Sequence, residues 1–514
     1  MRSPGRMIIA GGLVVVLLAI GIPLYAWSRG EKGSPEQLSR EYFSAWRQGD
    51  LERMQGLAAD PPLDFLGQHR ALSRGLSVTS ISLTPGPVIR DGENRAHLDF
   101  EVRRNLSGRG TWSYRSALWL GVADGRWKVL WTPAALYPGL RSAATWSLRE
   151  IKAPATRLVA RDGKPLPEGG TLGPYIAELT DRFGGDEEDD EPGWAVEYRE
   201  NNGPAQRVKV FGGRTGKKVR TSVDTRWQKA AEQAVNGSSK PAAIVALRPS
   251  TGEVLAVADE LGGRNAFLGL YPPGSTFKVV TAAALLSDGM APGSSVNCPG
   301  TVVTSQRTVR NHDGSTLGRT ALRNAFAQSC NTTFASLAVE RLRAAKLTDA
   351  AHRFGFGGPI TPGVGAARGG FPEPDGDAEL AEAAFGQGKV QTSPLMMAIV
   401  AAAVADGTWR SPRMVDTAMI RRVGDPVQKA HPVEGAAALR TMMRAVVTDG
   451  TAARAGLPAG TAGKTGTAER VDGASHAWFI GYKGDLAFAV FVEGGGSGPT
   501  VAAPLAARFL RAGR

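Results

Sequence analysis

Cysteine is scarce in this sequence of 514 residues: only Cys298 and Cys330 occur, and neither belongs to a C-x-x-C pair, so a cysteine-ligated zinc site is excluded. In an exported chain the two thiols form one disulfide or stay as two buried thiols, and the spacing leaves both open. Histidine is also sparse. None of the six has metal spacing such as H-x-x-x-H, so no metal site is expected. There is no G-x-S-x-G elbow, which removes the histidine-dependent serine hydrolases built on that turn. Phe385-Gly386-Gln387-Gly388 lacks the G-K-[ST] of a phosphate loop and reads as a tight loop. Beyond the N-terminal region no apolar run is long enough to span a bilayer.

What is present is a folded, loop-rich composition: 42% hydrophobic, 21% charged, 65 glycines and 32 prolines. The length suggests about three domains. Lys and Arg outnumber Asp and Glu to give a net charge of +13, which favours a polyanion: nucleic acid, phospholipid or an anionic wall polymer. The choice depends on compartment. Arg2 and Arg6 precede an apolar run over residues 7–27, long enough as a helix to cross a bilayer. A cleavable signal peptide is the competing reading, but its apolar region usually runs about 7–15 residues and no clear A-x-A site follows. Residues 1–30 are therefore expected to be a short cytoplasmic tail and single-pass anchor. Arg29 and Lys32 on the far flank leave the orientation to be decided by the chemistry downstream.

Residues 34–140 open with Ser34-Pro-Glu-Gln, and Leu38, Tyr42, Phe43 and Trp46 fall on one helical face. Segments 96–102, 110–120 and 126–131 alternate apolar and polar residues, predicting an α+β module with an antiparallel sheet on that helix. Residues 146–224 carry a weaker pattern, with a hairpin expected around Asp162-Gly163. The acidic block Asp186-Glu-Glu-Asp-Asp-Glu191 reads as a solvated loop, since like charges in a row repel and no calcium-loop spacing is present. From residue 225 onward a helix at 225–235, strands at 242–247 and 253–258, alternating helices, and strands at 477–482 and 486–492 predict an α/β domain with an antiparallel sheet. Its first and last strands come from opposite ends of the segment, so closing the sheet brings the ends together.

The chemistry concentrates in three short motifs. Ser275 and Lys278, in Tyr271-Pro-Pro-Gly-Ser-Thr-Phe-Lys278, share the first turn of a helix. A serine hydroxyl needs a base, and a lysine with a depressed pKa three residues on can serve. Ser329-Cys330-Asn331 follows about 50 residues later, and Lys464-Thr465-Gly466-Thr467 stands just before the strand at 477–482. The order S-x-x-K, S-x-N, K-T-G is that of penicillin-binding proteins and serine β-lactamases.

On these motifs, and on stretches such as Phe385-Gly-Gln-Gly-Lys-Val-Gln-Thr-Ser-Pro and His476-Ala-Trp-Phe-Ile-Gly-Tyr, the chain resembles a class B penicillin-binding protein, a D,D-transpeptidase. Residues 34–140 are similar to the nuclear-transport-factor-like extension of the low-affinity penicillin-binding subgroup. Residues 146–224 look like a shortened pedestal, or dimerisation, domain, and 225–514 like the transpeptidase domain. The resemblance implies Ser275 as nucleophile, Lys278 as its base, and Ser329 and Lys464 in proton relay. It implies Asn331, Thr465, Gly466 and Thr467 as substrate-binding residues, with the backbone N–H groups of Ser275 and Thr467 forming the oxyanion hole. No cofactor and no metal are implied. The implied partners are D-Ala-D-Ala stem peptides, an acceptor amine, β-lactams, the membrane and a separate glycosyltransferase, with the catalytic domain outside the cell membrane; nucleic acid is then no partner. Ser-Cys-Asn stands where Ser-Asp-Asn is commoner, losing a carboxylate but keeping both functional side chains.

The alternatives are a D,D-carboxypeptidase, a serine β-lactamase and a non-catalytic scaffold or β-lactam sensor. Glu379-Leu380-Ala381 lacks the asparagine of the E-x-x-L-N context used for deacylation by class A β-lactamases, and a sensor is expected to carry several membrane spans.

Overall fold

The computed structural model describes residues 33–513 apart from 154–156, 167–169, 185–190, 202, 213–217, 306 and 471–472. The expected anchor at residues 7–27 and all but the last residue of the acidic block lie outside the described residues. Among the described residues no helix is long and apolar enough to cross a membrane.

The first module begins with helix α1, Pro35–Gln48, started by Ser34, whose hydroxyl accepts from the Gln37 N–H at 3.1 Å, and ended by Gly49 in the left-handed conformation. Leu38, Tyr42, Phe43 and Trp46 are buried as their spacing predicts. They meet an antiparallel sheet of β1 (Val78–Pro85), β2 (Arg95–Leu106), β3 (Gly110–Ala123) and β4 (Arg126–Val129), in that order. Phe43 packs edge-on against Phe100 of β2 at 4.9 Å between ring centres.

The middle region departs from the weak order its pattern suggested. Strands β5 (Ala144–Ala153), β6 (Glu191–Glu200) and β7 (Gln206–Phe211) form an antiparallel sheet, and helix α2 covers Gly173–Phe183. A tight turn does lie at Asp162-Gly163, where the Asp162 carboxylate accepts from the Lys164 N–H at 3.1 Å. The strand before it, Arg157–Val159, pairs in parallel with Lys218–Arg220. This region divides its apolar side chains between its neighbours. Trp146, Val196, Tyr198 and Val208 join the core of the first module, whereas Leu172, Tyr175, Leu179 and Phe183 join that of the last. It works as a joint between two cores.

The C-terminal unit opens with α3 (Thr225–Asn236), capped by Asp224. Strands β8 (Ala242–Arg248), β9 (Glu253–Asp259), β10 (Ala462–Ala468), β11 (His476–Tyr482) and β12 (Ala487–Val492) make one antiparallel sheet in the order β9-β8-β12-β11-β10. β8 pairs directly with β12, so the sheet joins the two ends of the unit. β11 and β12 are buried along their whole length, which requires both faces to be covered. Helices α3 and α7 (Ala503–Ala512), held together through Trp227 and Phe509, and the almost wholly apolar α6 (Pro394–Asp406) do so.

Where α2 meets this unit, the Tyr175 hydroxyl donates to the Asp259 carboxylate at 2.5 Å, and the N–H groups of Leu261 and Ala266 donate at 3.0 and 2.8 Å. Loss of water nevertheless pushes Asp259 up to about 6. Desolvation, together with the nearby carboxylates of Asp99, Asp259 and Glu232, pushes Glu260 up to about 8. Both folded values exceed the unfolded ones, so these two carboxyls hold more protons in the folded chain between about pH 4 and 8, and their contribution to stability falls as pH rises through that window. The buried amines of Lys278 and Lys464 act in the opposite sense, so the effect is read as a difference: the thermal midpoint of the native protein should fall relative to that of Glu260→Gln between about pH 5 and pH 8, and a difference constant over that range would refute this coupling.

Candidate active site

Gly274–Phe277 form a single 3₁₀ turn that runs into α4, Lys278–Ser287. At three residues per turn, positions i and i+3 eclipse, and the Lys278 Nζ lies 3.1 Å from the Ser275 Oγ. The turn sits tightly against β10 because two residues lack side chains. Gly274 has φ +52°, and a Cβ there would lie 2.5 Å from the Thr467 carbonyl oxygen. A Cβ on Gly466 would lie 2.8 Å from the Thr276 side chain. Gly466, expected among the substrate-binding residues, thus contributes close approach of strand to nucleophile turn. The Phe385–Gly388 stretch is a tight loop seated on the same turn, with the Gly274 N–H donating to the Gly386 carbonyl at 2.9 Å.

Ser329 and Asn331 come from a second element. Ser329 has φ +60°, an unusual conformation for a serine, and turns the chain into α5, Asn331–Leu337. Cys330, between them, is joined to Cys298 by a disulfide across a Cα separation of 6.2 Å, which decides the question the spacing left open. Lys464 comes from β10: the K-T-G motif is itself part of an edge strand of the sheet.

These elements converge on two buried amines. The Lys278 Nζ donates to the Ser329 carbonyl and to the Asn331 Oδ1, each at 2.6 Å, and lies 3.3 Å from the Ser329 Oγ. The Lys464 Nζ donates to the same hydroxyl at 2.8 Å and to the Thr465 carbonyl at 2.9 Å. Burial holds Lys278 well below the usual lysine range, and the neighbouring Lys464 lowers it further; Lys464 is brought down by burial to about 7. The pair therefore favours one proton, kept on Lys464, leaving Lys278 neutral and able to accept the Ser275 proton. Phe334 lies under the Lys278 amine and Phe326 under that of Lys464, each ring centre 5.7 Å away.

Ser275, Lys278, Ser329, Asn331 and Lys464 thus form one hydrogen-bonded network. Thr465 and Thr467 line the cleft beside it, a cavity of about 1190 Å³. The Thr465 hydroxyl is bonded at 2.6 Å to that of Thr451, a residue that no motif in the sequence marks. The Thr467 hydroxyl accepts from the Gly498 N–H at 3.2 Å. His476 packs against Tyr271 and Phe491 and lines the same cleft.

A serine served by a neutral lysine is the arrangement of a lysine-dependent serine acyl-transfer enzyme. Residues 242–511 match the penicillin binding protein transpeptidase domain, and residues 34–144 the NTF2-like N-terminal transpeptidase domain. The chain belongs to the penicillin-binding protein transpeptidase family. It is 32% identical to the peptidoglycan D,D-transpeptidase PbpA of Mycobacterium tuberculosis, over 58% of this chain and 72% of that one. Among solved structures it resembles the D,D-transpeptidase domain of a peptidoglycan glycosyltransferase from Eggerthella lenta, with a TM-score of 0.56, 25% identity and coverage of 70% of this chain and 98% of that one. It also resembles the ceftriaxone acyl-enzyme complex of penicillin-binding protein A from M. tuberculosis, with a TM-score of 0.52, 29% identity and coverage of 58% and 81%.

Proposed function

We propose that this chain is a peptidoglycan D,D-transpeptidase that works through an ester on Ser275 and is acylated by β-lactams. The observation that carries the reading is the buried Lys278 amine 3.1 Å from the Ser275 hydroxyl, where burial and the neighbouring Lys464 both favour its neutral form. Ser275 Oγ attacks the carbonyl of the penultimate D-alanine and its proton passes to Lys278. The Ser329 hydroxyl, bonded to Lys464 and within reach of Lys278, relays a proton to the leaving D-alanine amine. The C–N bond breaks, an ester remains, and an amine from a second stem peptide resolves it. Thr465, Thr467 and the charged Lys464 hold the donor's terminal carboxylate, and Asn331 holds the amide before the penultimate residue. The backbone N–H groups of Ser275 and Thr467, brought together by Gly274, take the oxyanion, an interaction worth about 10²–10³ in rate.

Residues 7–27 anchor the chain in the cell membrane, and the catalytic unit lies outside. The Cys298–Cys330 disulfide supports that side, because such bonds persist in oxidising compartments. A separate glycosyltransferase supplies the glycan strands. The positive surplus then faces anionic wall polymers and lipid head groups.

Labelled penicillin should attach stoichiometrically to the native protein and not at all to Ser275→Ala. A D-Ala-D-Ala donor with an amine acceptor should yield amide product only with the former. Equal labelling of the variant would remove the assignment, and rapid turnover of the penicillin would indicate a hydrolase.

A further inference from the structure

One wall of the cleft is a hairpin, Thr301–Thr304 paired with Arg307–Arg310, whose second strand alternates. Val309 is buried in a small cluster with Ala335 and Ala381, and Arg307, on the same face by alternation, is ion-paired with Glu382. That face is tied down. All four residues of this strand contribute to the cleft wall; Thr308 and Arg310 project from the other face and are exposed, and no carboxylate among the described residues pairs with Arg310. The Arg310 backbone carbonyl accepts a hydrogen bond from Asn331 Nδ2 at 2.9 Å, which places Arg310 beside the motif asparagine.

This position has a chemical meaning that rests on the function proposed above. The amide held by Asn331 joins the penultimate D-alanine to the residue before it, so that residue lies against Asn331, beside the strand that carries Arg310. A guanidinium without a protein carboxylate is matched by a carboxylate on the ligand, which it can bind in bidentate fashion; it repels an ammonium and gains no ion pair from a carboxamide. We propose that Arg310 is a specificity residue that selects donor stem peptides in which the residue preceding D-Ala-D-Ala carries a free side-chain carboxylate.

The test uses two synthetic donors ending in D-Ala-D-Ala that differ only in whether that preceding side chain ends in a carboxylate or its carboxamide. The ratio of their kcat/KM values is measured for the native protein, Arg310→Ala and Arg310→Lys. The native protein should prefer the carboxylate about tenfold, the alanine variant should show a ratio near one, and the lysine variant should keep part of the preference. Because the ratio is internal to each preparation, a lowered folded fraction in a variant does not alter it. A native ratio near one, or one that Arg310→Ala leaves unchanged, overturns the proposal. Penicillin labelling of the native protein separates the two readings. Without labelling, the acyl-transfer function itself falls; with labelling but no ratio, only the role of Arg310 does.

Discussion

Replacing Lys278 with methionine should slow acylation by penicillin about 10²–10⁴-fold, the range typical of losing a general base. The variant keeps an unbranched side chain of nearly the same length but removes the amine that Ser275, Ser329 and Asn331 share. It also leaves the Ser329 carbonyl and the Asn331 Oδ1 without that donor, at a cost of about 1–3 kcal/mol each, partly offset by removing a buried ionisable group. Folding of the variant is therefore checked by circular dichroism beside the rate. In the native protein the second-order acylation rate should fall at low pH, as Lys278 gains a proton, and again as pH rises through about 7, where Lys464 loses the charge that holds the ligand carboxylate. Esterifying that carboxylate should weaken the alkaline limb. A rate that is flat from about pH 6 to 9, or a Lys278→Met variant acylated as fast as the native protein, would sink this division of labour between the two amines.

Cutting the disulfide is expected to have the next largest effect. Cys298 and Cys330 close a loop with a sequence separation of 32, for which the chain-entropy relation gives roughly 3–4 kcal/mol of stability. The bond also ends on the residue between Ser329 and Asn331, so it helps hold Ser329 in its left-handed conformation at the start of α5. Cys298→Ser should lower the denaturant midpoint and slow acylation about tenfold or more, because the Ser329 hydroxyl must stay within hydrogen-bond reach of both lysines. Loss of stability with an unchanged acylation rate would confine the bond to a structural role. An unchanged midpoint would contradict the stabilising role as well.

The first module was legible because its signals are local: Ser34 caps a helix whose apolar face recurs every three or four residues, and the following strands alternate. The catalytic sheet was legible for the same reason, with long runs of buried β-formers at both ends of the unit. The middle region was not. Its strand β5 pairs with β6 across about 40 residues, and its apolar side chains are split between two neighbouring cores, so no single period shows in its sequence. In the site, the S-x-x-K, S-x-N and K-T-G motifs pointed to Ser275, Lys278, Ser329, Asn331 and Lys464 because their chemistry depends on residue type and short spacing. Thr451 and Arg310 carry no such mark, since each matters only through a contact outside its own local motif, 14 and 21 residues along the chain.

The sequence by itself determined which reactive groups this protein owns: a serine with a lysine three residues on, a second serine with its asparagine, and a lysine in a K-T-G motif ahead of a predicted strand. Only the tertiary structure decided their state. The approach permitted by Gly274 and Gly466 brings the three motifs together, and removing two amines from water beside one another leaves room for little more than one proton. Charge on a buried group depends on everything packed around it, and that surrounding is assembled from segments nearly 200 residues apart.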